Sequence, residues 1–466
     1  MSTATPPLLT EAKACLRLAV PLAAAQLSEA AISFIDTMMM GWLGETTLAA
    51  GSLGNVTFVS LFLIATGLIS STGALGAIAH GQRNPRRLSQ ISSQGLWLTL
   101  AIALPIMLVL FNMAPLLQRF GQPPETIALA QSYLSAIAWG FPAAVGFTVL
   151  KNMASTLNQP RIIMQVMVLG ISFNVLGNYV LMYGKWGFPE LGLAGLGWAS
   201  TAAFWLKFGI VGAWMRYHRE FRAAQLFRWA GMQRSLLLEL CKLGIPSAAL
   251  FALETGLFTC VTYLMGTLGT TALAAHQVAL QTAATTFMVP VGIAYATTAR
   301  VGQYWGQTNP SGSRQAGFVG IGLGGLFMAM MGILFWLMPR AIIGIYLDLS
   351  DPANQAVVTM AIALLKIAAL FQIMDGVQII ANGALRGIKD VRVPMLIGLG
   401  SYWAVGLGSG YGWGILGQQG ARGLWFGLVW GLFVAAIALT GRFWWQTRTT
   451  LAHAQALPTD SHSRVP

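Results

Sequence analysis

Four acidic residues lie within long apolar stretches of this chain: Glu29, Asp36, Glu254 and Asp375. In a membrane-spanning helix a central charge costs at least about 2.5–3.5 kcal/mol on insertion scales, so each carboxylate needs a proton, a counter-charge or a bound cation. The other ten acidic residues lie in polar breaks or near the ends of apolar stretches, where water solvates them. These four are therefore candidates for binding a cation or a positively charged substrate. The alternative is that they only accept hydrogen bonds from neighbouring helices.

The spacing of the polar residues indicates which side chains share a helix face. Glu29 and Asp36 are seven residues apart, so on a helix they line one stripe about 10.5 Å apart along the axis. Asn174 and Asn178 are four residues apart in another apolar stretch and share a face as well. Amide oxygens and a carboxylate suit a hard cation. Asn174 and Asn178 with one of the carboxylates are therefore candidates for holding a hard cation, although two such amides alone are more often hydrogen bonds between helices.

The composition determines what kind of protein carries these residues. The chain has 466 residues, of which 56% are hydrophobic and only 9% charged, and its mean hydropathy is +0.65. An ordinary soluble domain is about 25% charged, and a soluble core could not bury this much apolar surface. These values exclude a soluble enzyme, a disordered protein and a secreted disulfide scaffold. The three cysteines, Cys15, Cys241 and Cys260, lie in or beside apolar stretches and are expected to be small hydrophobic residues.

The apolar stretches are numerous enough for a polytopic membrane protein. Each is about as long as the roughly 20 residues that a spanning helix needs. They fall at 15–43, 49–79, 91–116, 125–150, 162–184, 191–215, 237–266, 271–302, 315–338, 355–381, 393–413 and 420–442. The predicted fold is therefore all-α, with twelve transmembrane helices.

The basic residues indicate the orientation of these spans. With twelve spans both termini are on one side, and the termini and loops of that side hold 21 of the 27 Lys and Arg residues, against 4 on the other side. Cytoplasmic loops carry the excess of Lys and Arg, so we predict that both termini are cytoplasmic in a bacterial inner membrane. The net charge of +13 then follows from topology, and nucleic acid is not an expected partner.

The two halves of the chain are a repeat. A shift of 225 residues aligns Pro21 to Gly95 with the second half without a gap, with 24 identities in 75 positions, including Gly-Gln-x-Asn-Pro at 81–85 and 306–310. A repeated six-helix unit keeps its orientation, as in transporters with two lobes around a substrate. The shift pairs Glu29 with Glu254, whereas Asp36 aligns with Val261.

The repeat predicts five segments of the chain. They are a cytoplasmic N-terminal segment 1–14, an N-lobe 15–215 with helices 1–6, a basic cytoplasmic linker 216–236, a C-lobe 237–442 with helices 7–12, and a cytoplasmic tail 443–466. The two lobes would be parallel repeats related by an axis along the membrane normal. Since one chain supplies both lobes, we expect a monomer with no obligatory protein partner.

Several segments together resemble the multidrug and toxic compound extrusion (MATE) family, in particular its NorM-like branch. They are Ser-Phe-Ile-Asp-Thr-Met-Met-Met-Gly at 33–41, Tyr-Gly-Lys-Trp-Gly-Phe-Pro-Glu-Leu-Gly at 183–192, Ala-His-Gln-Val-Ala-Leu at 275–280, and Ala-Leu-Arg-Gly at 384–387 with Pro394. The resemblance implies two six-helix lobes around a central cavity, and drug export driven by entry of Na+ or H+.

The resemblance also carries residue roles over to matching positions. The first-helix acid of the family corresponds to Asp36, and Asn174 and Asn178 occupy matching positions on the fifth helix, so the resemblance implies an ion-coupling site at these three residues, with Na+ as one expected ion. The acids that the NorM-like branch has on helices seven and ten match Glu254 and Asp375. Some relatives have an acid at the position of Asn178, so the cage here has one charge fewer. Glu29 is inferred from the repeat alone.

We therefore predict a secondary active multidrug transporter that exports lipophilic and cationic compounds in exchange for Na+ or H+. The chain lacks HExxH, GxxxxGK[ST] and GxSxG motifs, so we expect neither an enzyme nor a cofactor besides the coupling ion. The expected partners are cationic or amphipathic drugs and membrane lipid. One alternative is a lipid-precursor flippase of the same superfamily, which would need a cationic cavity; a second is a membrane-embedded enzyme.

Overall fold

The computed structural model describes residues 7–119, 121–224, 226 and 231–456, and in these residues every regular element is a helix. The α-helices are α1 Leu8–Trp42, α2 Glu45–Gly81, α3 Pro85–Phe111, α4 Ala114–Arg119, α5 Pro124–Ala138, α6 Phe141–Thr156, α7 Arg161–Met182, α8 Gly192–Tyr217, α9 Arg219–Ala223, α10 Arg234–Thr267, α11 Thr270–Gly306, α12 Pro310–Leu337, α13 Pro339–Ile343, α14 Gln355–Gly387, α15 Arg392–Gly398, α16 Gly408–Tyr411 and α17 Gly420–Ala456. Two π-helical segments, Leu399–Leu407 and Gly412–Leu416, join and extend α15 and α16.

The predicted fold class is confirmed, with twelve spans in two lobes. Within the described ranges, nine helices are each long and apolar enough to cross a membrane, and α5 with α6 forms a tenth span bent by 47°. The bend lies where Pro142 would remove a backbone hydrogen bond from a continuous helix. The other two of the twelve predicted spans coincide with α8 and with the helical segment from α15 to the second π-helix. The chain is a multi-pass membrane protein.

The Gly-Gln-x-Asn-Pro motif has the same structural role in both halves of the chain. Asn84 and Asn309 cap α3 and α12, and each side chain accepts a hydrogen bond from the backbone N–H three residues later. The preceding residues, Arg83 and Thr308, both have a φ of 54°, and a proline follows each cap at the first helical position, where it needs no hydrogen-bond donor. The motif therefore builds the connection between two helices.

The two lobes contact each other through α1 with α11, α2 with α10, and α2 with α11. The ends of α2 and α11 approach each other closely, so that a Cβ added to Gly81 would overlap the backbone carbonyl of Gln303. The repeat partner of Gly81, Gly306, meets the carbonyl of Ile78 in the same way. These ends lead into loops on the side with the excess of Lys and Arg, and we call that side the basic face. The lobes are closed on the basic face.

Ion pairs also join the lobes at the basic face. Glu11 of α1, only 1% exposed, accepts hydrogen bonds from Arg300 of α11 at 2.7 and 2.9 Å and from the Tyr304 hydroxyl at 2.8 Å. Arg87 of α3 donates to Glu239 of α10 at 2.6 Å. In each pair one residue lies on a helix of the first half of the chain and the other on a helix of the second half, so both pairs stabilise the conformation that is closed at this face.

Gly81→Ala is expected to lower the thermal unfolding midpoint of the purified protein. The added methyl group overlaps a backbone carbonyl that cannot move aside, and overpacking of this kind costs typically about 1–3 kcal/mol. Gly209→Ala is the matched control, since a Cβ there has no neighbour within 4 Å. Equal midpoints for the two variants would contradict the close contact between α2 and α11.

Candidate functional site

The structure brings Asp36, Asn174 and Asn178 together inside the N-lobe. Asp36 lies on α1, and its Oδ1 accepts a hydrogen bond from Asn178 Nδ2 at 2.6 Å. Asn178 Nδ2 also lies 3.3 Å from Asn174 Oδ1, one turn earlier on α7. Asn174 Nδ2 in turn donates to Ser200 Oγ of α8 at 3.2 Å. All four side chains are buried, so three helices form one polar cluster in apolar surroundings.

One atom of this N-lobe cluster has an unmet hydrogen-bonding capacity. Asn178 Oδ1 is buried, and no group in the described part of the chain donates to it. A buried acceptor without a partner costs roughly 1–3 kcal/mol, so such an oxygen calls for an explanation. Beside it lies the Asp36 carboxylate. Carboxylate and amide oxygens are the ligands of hard cations, so the donor set is compatible with a small cation, and the Na+ site stays a prediction.

Two residues around Asp36 were not assigned to the site from the sequence. Ser200 is one, since a serine in an apolar helix usually bonds its own backbone and gives no signal. Lys207 of α8 is the other: it is 4% exposed, its Nζ lies 4.7 Å from the Phe204 ring centroid, and it is within electrostatic range of Asp36 and Glu29. Lys207 lies within an apolar stretch, as the four acidic residues do, and a charged residue at such a position is itself a sequence signal for a functional site.

Glu29 does not join the N-lobe cluster. It lies two turns before Asp36 on α1 and is half-buried, and it makes no hydrogen bond or ion pair with any residue that the structure describes. Its repeat partner Glu254 has a different environment, since it accepts a hydrogen bond from Gln378 at 2.9 Å. The repeat therefore conserved the residue type but not its contacts.

The C-lobe cluster joins Glu254 of α10 and Asp375 of α14. Both carboxylates accept from one amide group, Gln378 Nε2, at 2.9 Å for Glu254 Oε1 and 3.3 Å for Asp375 Oδ1. The Tyr402 hydroxyl donates to Gln378 Oε1 at 2.8 Å and so fixes the orientation of the amide. Gln378 and Tyr402 were not predicted, although Gln378 follows Asp375 by three residues on the same helix face.

The two clusters differ in charge and therefore in chemistry. The N-lobe cluster has one carboxylate with two amides, a set suited to one small cation. The C-lobe cluster has two carboxylates that share a single amide donor, so its negative charge is only partly compensated by hydrogen bonds. Such a site favours a group of positive charge.

His276 belongs to the segment 275–280 that resembles the family, and its side chain has a structural role in helix packing. Trp425 Nε1 lies 3.2 Å from His276 Nδ1, and since an indole only donates, Nδ1 accepts. The proton is then on Nε2, which lies 3.0 Å from the Thr262 hydroxyl. Both ring nitrogens are used in packing α10, α11 and α17, and neither is free for a ligand.

The family model MatE matches residues 21–180 and 246–411 of this chain. The chain belongs to the MATE family. The two matched segments begin at Pro21 and Pro246, which are partners in the internal repeat. The MATE family is a family of transporters.

This MATE protein is similar in sequence to two curated NorM proteins and similar in fold to a solved MATE structure. The probable multidrug resistance protein NorM of Synechocystis sp. is 41% identical, with 96% of each chain covered. The protein of the same name from Pseudomonas aeruginosa is 42% identical, covering 97% of this chain and 92% of its own. The predicted likeness to the NorM-like branch is therefore confirmed. A structure described as the outward-facing conformation of a multidrug resistance MATE family transporter has a TM-score of 0.87 at 19% identity, covering 96% of this chain and all of the other, and confirms the fold.

Proposed function

We propose that this MATE protein exports lipophilic and cationic drugs in exchange for Na+ or H+. The names of the curated relatives support the drug substrates. The observation that carries the coupling is the buried Asp36 carboxylate beside an amide oxygen of Asn178 that lacks a partner. A single exchangeable cation at this place would compensate both the charge and the unmet acceptor.

In the proposed mechanism the occupancy of Asp36 determines the packing of α1 against α7. With a cation or proton bound, the charge of the carboxylate no longer depends on Asn178 and Lys207 for compensation. With neither bound, it must accept as many hydrogen bonds as its neighbours provide. A ligand shifts a conformational equilibrium only by its differential affinity. Cation and drug must therefore favour opposite conformations of the transporter.

The C-lobe cluster is proposed to bind the positive charge of the drug, or else a second ion. Glu254 and Asp375 supply the negative charge, and Gln378 with Tyr402 holds them in position. Glu29 would be an additional ion- or substrate-binding group that a different conformation of α1 brings into contact.

The lobes 15–215 and 237–442 are proposed to move as the two bodies of alternating access in a monomer. With the basic face placed in the cytoplasm of a bacterial inner membrane, the closed contacts at that face make this conformation outward-facing. The structural relative of the same description supports this assignment.

Proteoliposomes with a preset gradient test the function directly. Ethidium uptake would be measured with Na+ loaded inside, with an acidic interior at equal Na+, and with neither gradient. Uptake under one gradient establishes exchange and identifies the coupling ion. No uptake under either gradient by folded protein would contradict the proposal and favour the flippase.

A further inference from the structure

Arg386 is a buried charge without compensation. It lies one residue before the end of α14 and is 4% exposed, although the sequence assigned it to a basic loop. Its Nε and Nη1 have no hydrogen-bond partner, and it forms no ion pair within the described residues. A guanidinium group stays protonated in proteins, and an unpaired buried charge is strongly unfavourable. Something other than the described side chains must therefore compensate it.

The guanidinium group borders a small cavity between the lobes. The N-lobe lines it with Ser70, Asn152 and Thr156, and the C-lobe with Tyr295, Thr298 and Arg386. The cavity is small, on the scale of a single water molecule, which limits a ligand to a monatomic ion and requires the lining side chains to adjust around an ion as large as chloride. It is separate from both carboxylate clusters, since none of their residues lines it.

The lining offers donors and positive charge. Thr156 Oγ1 is buried without a partner, as are two nitrogens of Arg386. The lining includes no carboxylate, and a second cation is near because Lys151 Nζ lies 4.8 Å from the ring centroid of Tyr295. Free donors beside a charge of one sign favour an anion and disfavour a metal ion.

We propose that this cavity binds one small inorganic anion of the size of chloride, held by Arg386 and Thr156. Since residues of both lobes line the cavity, the site is complete only when the lobes are closed at the basic face. The anion therefore stabilises the closed conformation by its differential affinity. The binding site itself does not depend on the proposed drug transport.

The first test is thermal unfolding of the purified protein, with chloride or bromide replaced by gluconate at constant Na+ and ionic strength. The midpoint of the wild type is expected to rise with chloride in a saturable way, because a ligand that binds only the folded state stabilises it. Arg386→Gln removes this rise. Arg442→Gln is the matched control, since Arg442 pairs with Asp390 at 2.8 Å outside the cavity and its loss leaves the chloride response intact.

Thr156→Val keeps the test decisive if Arg386→Gln does not fold. This variant removes one donor from the cavity without removing the charge, and a weaker chloride response is expected. A wild-type midpoint that is equal in chloride and gluconate would mean that the cavity holds only water, and would overturn the proposal. A full chloride response in Arg386→Gln would overturn it as well.

A native cysteine reports the conformational effect. Cys15 of α1 is 1% exposed and belongs to one buried hydrophobic cluster with Ile293 and Ala296 of α11, so it is protected while the lobes are closed. In a Cys241→Ala, Cys260→Ala background, chloride is expected to slow its alkylation by a maleimide relative to gluconate. The anion dependence should vanish on adding Arg386→Gln. If the labelling rate of Cys15 did not depend on chloride while Arg386 is present, this result would contradict stabilisation of the closed state by the anion.

Discussion

Asp36→Asn is expected to reduce cation-driven drug uptake in proteoliposomes to the level of empty vesicles. The asparagine has nearly the shape of the aspartate but can neither ionise nor carry an exchangeable proton. The substituted side chain therefore cannot distinguish the ion-bound state from the ion-free state, and ion movement is no longer coupled to drug transport. The variant should still fold, because an amide oxygen can accept the bond from Asn178 Nδ2 that is now 2.6 Å long.

The matched control for this prediction is Asp348→Asn in the exposed loop after α13. Hydrogen bonds from the Ser350 hydroxyl and backbone N–H hold the pKa of the Asp348 carboxyl below its ordinary value, so this acid is ionised at neutral pH. The control removes one negative charge far from the N-lobe cluster and should keep wild-type uptake. Full ion-dependent uptake by Asp36→Asn would show that another group couples the cation.

The double variant Glu254→Gln, Asp375→Asn is expected to lower kcat/KM for a cationic drug by roughly thirtyfold or more. Removing one partner of a buried charge pair costs about 2–5 kcal/mol, and each 1.4 kcal/mol corresponds to about tenfold. The measurement is initial-rate ethidium uptake over a range of concentrations. Both substitutions preserve shape, so the contacts with Gln378 can be replaced by amide oxygens.

Two comparisons make this second prediction specific. For an uncharged lipophilic substrate the double variant should lower kcat/KM much less, since such a substrate has no positive charge to pair with the carboxylates. Glu29→Gln, at the repeat position of Glu254, should have the smaller effect because Glu29 is half-buried and makes no hydrogen bond or ion pair with the described residues. Equal losses for charged and uncharged substrates would indicate instead that the C-lobe cluster holds a coupling ion.

Local properties of the sequence were sufficient for the fold and for the acidic residues. Hydropathy identifies spans because an unsatisfied backbone cannot cross a membrane, and the 225-residue shift identifies two lobes. The i, i+4 spacing of Asn174 and Asn178 places both on one face of α7 regardless of what surrounds it. Each of these signals lies within one helix or in the comparison of two segments, so no tertiary contact is needed to find it.

Contacts between helices were decided only by the tertiary structure. Sequence did not predict that Gln378 bridges Glu254 and Asp375, because that contact joins residues 124 positions apart on helices whose rotation depends on packing. Arg386 shows the same limit. Counting charges placed it in a loop, whereas α14 extends past the apolar stretch and buries it between the lobes. Hydropathy reports the average environment of a segment, but the partner of each polar atom is determined by how the helices pack.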